Sequence, residues 1–221
     1  MDQPSSIEWV TVKTTLPLLP PLDTRPEIQT KRLVLRRTLQ SDIYGWHALR
    51  SQPEVMQWTG QGITDPDIKW SEDRLKMRLA PEGDTKYEYI VCLAETGEMI
   101  GTAGCHLFEG ELGWPVIGYM LCKEFWGKGY ATELVHAFLS AWWALPRTEV
   151  ELKVDKSTAI EEHDDKVREC IVAVTVEHNA PSQRVLTKAN MELVKVWEEV
   201  DNRDETQTAT LYGYVAKRPL Q

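Results

Sequence analysis

The chain has 221 residues, 42% of them apolar, and a formal charge of −9 from 25 Lys and Arg against 34 Asp and Glu. That length suits one generous domain with a real core, and the acidic balance excludes a general binder of nucleic-acid backbone, which needs a basic face. The longest apolar stretch, residues 137–145, is too short to span a bilayer and stops at Pro146, which excludes a membrane-spanning helix there. The net acidity fits a cationic partner such as an amine or basic peptide, and fits equally a charge that only keeps the protein soluble. Met1-Asp2-Gln3-Pro4 lacks the basic-then-apolar pattern of a secretory signal. Cys92, Cys105, Cys122 and Cys170 are widely spaced in apolar text with no CxxC pair. They predict reduced, buried thiols in a cytoplasmic protein (a nuclear one stays open) and no disulfide framework or zinc site.

Residues 1–29 form a Pro-rich extension, and 30–217 form the domain. Pro17, Pro20, Pro21 and Pro26 fix φ and remove donors, so residues 14–26 are expected as an extended strap. Residues 31–37 (KRLVLRR) predict a first strand with Leu33 and Leu35 inward. Ser41-Asp42 starts a helix to Arg50, and a second runs from Asp65 or Pro66 to Leu79. Residues 87–93 and 99–107 predict a hairpin around Glu95-Thr96-Gly97-Glu98, and 116–122 a further strand. A helix over 127–144 carries Ala131, Leu134, Val135, Phe138, Leu139 and Trp142 on one stripe. The run Glu161-Glu162-His163-Asp164-Asp165 reads as a solvated loop, since consecutive carboxylates cannot all converge on a metal. Residues 168–176 predict a strand buried on both faces. A short helix over 179–190 closes on Asn190, the residue best able to replace Gly in a left-handed position. Strands over 193–200 and 208–215 flank Asp201-Asn202-Arg203-Asp204. The order predicts an α/β protein with one mixed sheet and helices on both faces.

The segment Trp126-Gly127-Lys128-Gly129-Tyr130-Ala131-Thr132 joins a strand to a helix. Its two glycines let the backbone approach a ligand closely, and the first-turn amides lack intrahelical partners at the positive end of the dipole. A diphosphate satisfies both conditions. A tight strand–helix connection with no ligand explains the glycines as well. Neither GxxxxGK[ST] nor GxGxxG with a downstream acid is present.

This segment resembles the acetyl-CoA-binding motif of the GNAT N-acetyltransferases, in particular the RimJ/RimL-type branch with its WGKGYATE-like string. Thr30-Lys31-Arg32-Leu33-Val34-Leu35-Arg36 followed by Ser41-Asp42 is similar to that branch's opening. Asn179-Ala180-Pro181-Ser182-Gln183-Arg184-Val185-Leu186-Thr187-Lys188-Ala189-Asn190-Met191 is similar to its later N-x-x-S-x-x-V-L-x-K-x-G-F helix. Three separated motifs in register exceed any one alone. The resemblance implies a GNAT fold with a largely antiparallel sheet and two splayed central strands. It implies acetyl-CoA as co-substrate, with the arm along Met120, Leu121 and Cys122 and the diphosphate on the amides of residues 126–132. Asn179 then meets the arm, Ser182 lies near the sulfur, and Arg184 or Lys188 meets the adenosine phosphate. No metal is implied, and no nucleic-acid or membrane partner; homodimers are common among its look-alikes.

The implied reaction is attack of a neutral primary amine, on a small molecule or a peptide N-terminus, on the thioester. Holding the reactants in line supplies about 7–11 kcal/mol of barrier lowering. Ser182 is the candidate proton donor to sulfur. His106, Glu109 and Glu111, on the segment between the two central strands, and His178, just before Asn179, are candidate bases, with His106 and Glu111 preferred; Val116 stands where relatives often place a Glu. Trp58 and Trp114 are candidate walls of the acceptor pocket. Two alternatives stay open: an acyl-CoA-binding module without turnover, motivated by Val116, and an adaptor using Pro17-Leu18-Leu19-Pro20.

Overall fold

The computed structural model describes residues 6–160, 166–201 and 203–220. The acidic run 161–165 and Asn202 lie outside the described residues. The elements in chain order are β1 (Trp9–Pro17), β2 (Ile28–Gln29), β3 (Leu33–Arg36), α1 (Ile43–Arg50), α2 (Pro53–Met56), α3 (Ile68–Lys76), β4 (Tyr87–Leu93), β5 (Met99–Leu107), β6 (Val116–Leu121), α4 (Tyr130–Ala144), β7 (Arg147–Asp155), β8 (Cys170–Val176), α5 (Ala180–Lys188), β9 (Glu192–Asp201) and β10 (Asp204–Lys217).

The chain divides into two compact units. One comprises Leu19–His106 and Gly118–Ala141 and carries the strands in the order β2-β3-β4-β5-β6. Its core includes Ile43, Trp46 and Leu75 on Ile90 and Cys92, and Leu49 and Val55 on Cys122. Arg25, 6% exposed, ties the strap preceding β2 to this unit: its guanidinium donates to the carbonyls of Lys86 at 2.6 Å and Glu88 at 3.3 Å. The other unit takes the described residues of Met1–Leu18, Leu107–Ile117 and Trp142–Gln221. It carries the start of β6, followed by β8, β10 and β9, and a separate ribbon of β1 on β7. Trp114, Val116, Val154, Cys170, Val172, Trp197 and Val215 form its core. Every strand ladder of described register is antiparallel except β6 with β8, which are parallel and registered at Val116↔Val172. The fold is thus mixed α/β and mostly antiparallel, and all four cysteines are free and buried.

The sequence expectations do not include β1 and β7. These strands pair over nine positions from Trp9↔Asp155 to Pro17↔Arg147, so part of the expected strap is a regular strand. Alternation supports both: Val12 and Thr14 turn inward on β1, and Leu152 and Val154 on β7. Helix starts also shift. Gly127 and Gly129 have φ of 72° and 81°, which no α-helix accommodates, so α4 begins at Tyr130 and not at residue 127. Likewise α3 begins after Asp67, whose side chain accepts the Trp70 N–H at 2.8 Å as an N-cap. The left-handed closure of α5 sits where expected, at Asn190 with φ 60°.

Asp155 staples the second unit. It is fully buried, lies 3.0 Å from Lys195 Nζ, and accepts from the N–H groups of Glu8 and Ser157 at 3.0 Å each. Burial opposes its ionisation, but the hydrogen bonds from Ser157, Lys195 and Glu8 outweigh that and hold its carboxyl below the usual Asp range. A depressed folded-state pKa gives stability that is complete above the unfolded value, about 3.9, and is lost as pH falls through the lower folded value. Asp155→Asn leaves Lys195 buried without its counter-charge, and is expected to lower unfolding free energy by about 3 kcal/mol at neutral pH. Urea titrations at pH 7 and below pH 4 check this, the gap between variant and parent narrowing in acid.

Candidate active site

The chain leaves β6 at Leu121 and enters α4 through a 3-10 turn, Lys123–Phe125, and the glycine loop. Local bonds shape the turn: Phe125 N–H to Cys122 C=O and Trp126 N–H to Lys123 C=O, each 3.0 Å. The first bond into the helix is Glu133 N–H to Gly129 C=O at 3.2 Å. Between these, the N–H groups of residues 127–132 donate to no protein acceptor among the described residues. The row of unpaired donors therefore starts at Gly127, since the Trp126 amide is already taken. Such a row at a helix N-terminus suits a multiply charged anion.

The glycines are required by backbone conformation, not by space. A Cβ on Gly127 would meet nothing within 4 Å, and one on Gly129 only the Arg32 guanidinium at 3.5 Å. Their left-handed φ values are what exclude other residues.

Two further contacts fix the loop. The Trp126 indole N–H donates to Leu121 C=O at 2.7 Å, pinning the loop to the end of β6. On the helix side, Arg32 donates through Nη1 to Lys128 C=O at 2.9 Å and through Nε to Glu133 Oε2 at 2.6 Å. Its guanidinium lies 4.4 Å from the Tyr130 ring centroid. Thr30 Oγ1 donates to Glu133 Oε1 at 2.6 Å, and the Arg32 N–H to the same oxygen at 3.1 Å. Burial works against Glu133 ionising, but these bonds from Thr30 and Arg32 prevail and keep its carboxyl below the ordinary range. Arg32 and Glu133 lie inside the motif strings, yet nothing in either string announces that they bond to each other. Lys128 joins no ion pair among the described residues; its Nζ stands 5.3 Å from the Phe125 centroid.

On β6, the Cys122 N–H donates to Ile100 C=O at 2.8 Å. Alternation along an extended chain then turns the Leu121 N–H to the opposite edge. Burial, with help from Glu124, pushes the Cys122 thiol up to about 11, so it is no thiolate at neutral pH. Met120 is half-buried beside Leu49 and Val55. His106 is exposed, and its ring covers Gly118, where a Cβ would fall 3.1 Å from Cε1. Trp58 is 37% exposed on the segment after α2.

The remaining sequence candidates belong to the other unit. Asn179 is the N-cap of α5, its Oδ1 accepting the Ser182 N–H at 3.2 Å. Ser182 is half-buried in the first turn. Arg184 and Lys188 line an open depression of about 430 Å³ with Ala180, Gln183, Thr187 and Tyr214. Glu111 has a buried carboxylate oxygen, Oε2, with no hydrogen-bond partner among the described residues. Trp114 is fully buried, and its indole N–H donates to Thr158 Oγ1 at 2.7 Å. This places Trp114 in the core with its polar handle satisfied.

Residues 32–192 match the family model for the acetyltransferase (GNAT) domain, and the chain belongs to that family. The uncharacterized N-acetyltransferase p20 of Bacillus licheniformis is 32% identical over 132 residues, covering 58% of this chain and 72% of p20. The solved RimL ribosomal L7/L12 alpha-N-protein acetyltransferase superposes with a TM-score of 0.61 at 16% identity, over 87% of this chain and 94% of its own. The microcin C7 self-immunity acetyltransferase MccE, solved with acetyl-CoA and AMP, gives 0.61 at 14% identity, over 85% and 93%. At such identities the two structures show a shared fold.

Replacing Gly127 separates conformation from packing. Gly127→Ala is expected to lose about 1–2 kcal/mol of stability from the left-handed φ alone, and Gly127→Asn distinctly less, because Asn tolerates that region. Chemical denaturation of the three proteins measures both differences.

Proposed function

We propose that the protein transfers an acetyl group from acetyl-CoA to a primary amine of a small molecule or a peptide N-terminus. The observation that carries this reading is the row of six unpaired amides at residues 127–132, fixed in place by Trp126 and Arg32. Such a row is complementary to the diphosphate of coenzyme A. Lys128 adds a cation that has no carboxylate partner among the described residues. The thioester supplies an activated acetyl group; the chain's work is to bind, align and move protons.

In this reading the amine nitrogen attacks the thioester carbon, the carbon–sulfur bond breaks, and one proton passes from the nitrogen while the sulfur gains one. The outward N–H of Leu121 is placed to stabilise the developing oxyanion, an effect worth about 3 kcal/mol. Resemblance assigns Asn179 to the cofactor arm, Ser182 to protonation of the sulfur, and Arg184 with Lys188 to the adenosine phosphate. Glu111 is the favoured base over His106, since its Oε2 is a buried proton acceptor with no competing donor. Trp58, exposed and apolar, remains the candidate for the acceptor side. The reading assigns the protein to the cytoplasm, and RimL's ribosomal-protein substrate supports a peptide N-terminus as one acceptor class.

Binding of acetyl-CoA is expected to raise the melting temperature, with about 2.7 kcal/mol of stabilisation at a hundredfold excess over Kd. No shift at millimolar cofactor sinks the reading. Thiol release on a panel of amines then tests turnover. Ser182→Ala is expected to lower kcat with little change in acetyl-CoA affinity. Binding without turnover of any amine favours the non-catalytic acyl-CoA module.

A further inference from the structure

Residues 50–65 form a loop closed on itself, between the last residue of α1 and the approach to α3. At its neck Arg50 Nε meets Asp65 Oδ2 at 2.7 Å, Arg50 Nη2 meets Oδ1 at 3.0 Å, and the Asp65 N–H donates to Arg50 C=O at 3.1 Å. The Asp65 side chain is fully buried and also accepts from Gln61 Nε2 at 2.9 Å and Ser71 Oγ at 2.7 Å. Both Asp65 oxygens are thus bonded, and the ends of the segment are locked together. Val55 and Met56 are buried within it, while Trp58 and Ile63 are exposed. A segment of this length with joined ends is a compact Ω-loop, a form often tied to function, and Val55 anchors it on Leu49 and Cys122.

This loop is bonded to the anion turn along one edge. Gln52 Oε1 accepts the Lys123 N–H at 2.8 Å, and Gln52 Nε2 donates to Glu124 Oε2 at 3.3 Å. Glu54 Oε1 pairs with Lys123 Nζ at 2.6 Å. The last contact joins two exposed side chains and is worth little. The Gln52 contact differs in kind, because it holds the main chain of the turn. Lys123 opens the turn whose end places the first unpaired amide, that of Gly127.

We propose that Gln52 is a positioning residue for the cofactor. Its carboxamide joins the 50–65 loop to the 123–129 turn so that the two order together when the amides of residues 127–132 are occupied. The inference rests on the acetyl-CoA reading above, and extends it by linking the diphosphate seat to the loop that carries Trp58.

The chemistry offers a swap test. Gln52→Ala removes both bonds. Gln52→Glu keeps an acceptor for the Lys123 N–H but sets a carboxylate against Glu124. In the double variant Gln52→Glu/Glu124→Gln, the carboxamide now at residue 124 donates to the carboxylate at residue 52. Calorimetric titration of the full chain with acetyl-CoA is expected to show about five- to tenfold weaker binding for Gln52→Ala, weaker still for Gln52→Glu, and recovery to within about twofold for the swap. In turnover, KM for acetyl-CoA rises while kcat stays near the parent value. Hydrogen exchange adds a readout that simple loss of stability would not move: acetyl-CoA slows exchange over residues 53–65 in the parent and the swap, and not in Gln52→Ala. Parent-like affinity in Gln52→Ala, or cofactor protection of residues 53–65 that survives it, overturns the inference while leaving the acetyl-CoA reading intact. Failure of the parent itself to bind acetyl-CoA removes that reading and this one with it.

Discussion

A row of main-chain donors has to remain unpaired and yet stay in one place. Unpaired amides normally relax toward the nearest carbonyl, because leaving them unmet is unfavourable. Residues 127–132 are prevented from doing so by clamps on either side. The turn at Lys123–Phe125 takes up the amides of Phe125 and Trp126 before the row, and the first amide after it, that of Glu133, donates to Gly129 C=O. The Trp126 indole fixes the loop to Leu121, and Arg32 fixes it through Lys128. The two left-handed glycines give the chain the path between them. These clamps fix the path of the loop before any anion arrives, which lowers the ordering cost of filling the seat.

Net charge is a poor guide to such a seat. The protein carries −9 overall, yet its loop suits an anion, because local dipoles act over a few ångströms while solvent-exposed charges are screened beyond about 8–10 Å. The carboxylates nearest the loop are each engaged. Glu133 is held by Thr30 and Arg32, Glu124 by Gln52, and Glu54 by Lys123. Lys128, on the loop itself, joins no ion pair among the described residues. The acidic balance of the whole chain therefore says little about what this loop suits.

The parts legible in the sequence were those governed by near-neighbour rules. Gly127 and Gly129 marked the bend, the stripe from Leu134 to Trp142 marked the buried helix face, and Asn190 marked a left-handed closure. Each depends on residues a few positions apart. The unread parts depend on partners far along the chain. Arg32 and Glu133 are 101 positions apart, and no periodicity reports their pairing. The β1–β7 ribbon has the same character: its alternation was present in both strands, but the prolines at 17, 20 and 21 drew residues 14–26 toward a strap. Tryptophan was the least informative type. Trp114 is core, Trp126 is a loop pin, and Trp58 is exposed, although all three sit in similar loop-like text, because the ring's fate is decided by what packs above it.

The buried carboxylates suggest why so acidic a chain holds together. Asp65, Asp155, Glu133 and Glu169 each gather donors from separate segments. Glu169 Oε2, for example, accepts from Thr15 Oγ1 at 2.8 Å and Arg147 Nε at 2.7 Å. A single acceptor with several lone pairs can join three stretches of chain, which a methyl group cannot do with fixed direction. Loop closure costs grow only slowly with length: joining ends 150 residues apart costs about 2 kcal/mol more than joining ends 20 apart, which an acceptor with several donors offsets. Two of these staples, Asp155 and Glu169, reach the first described residues, at Glu8 and Thr15. The N-terminal strand is therefore bound by charge and hydrogen bonding as well as by its ladder, and its contribution to its unit is structural before it is anything else.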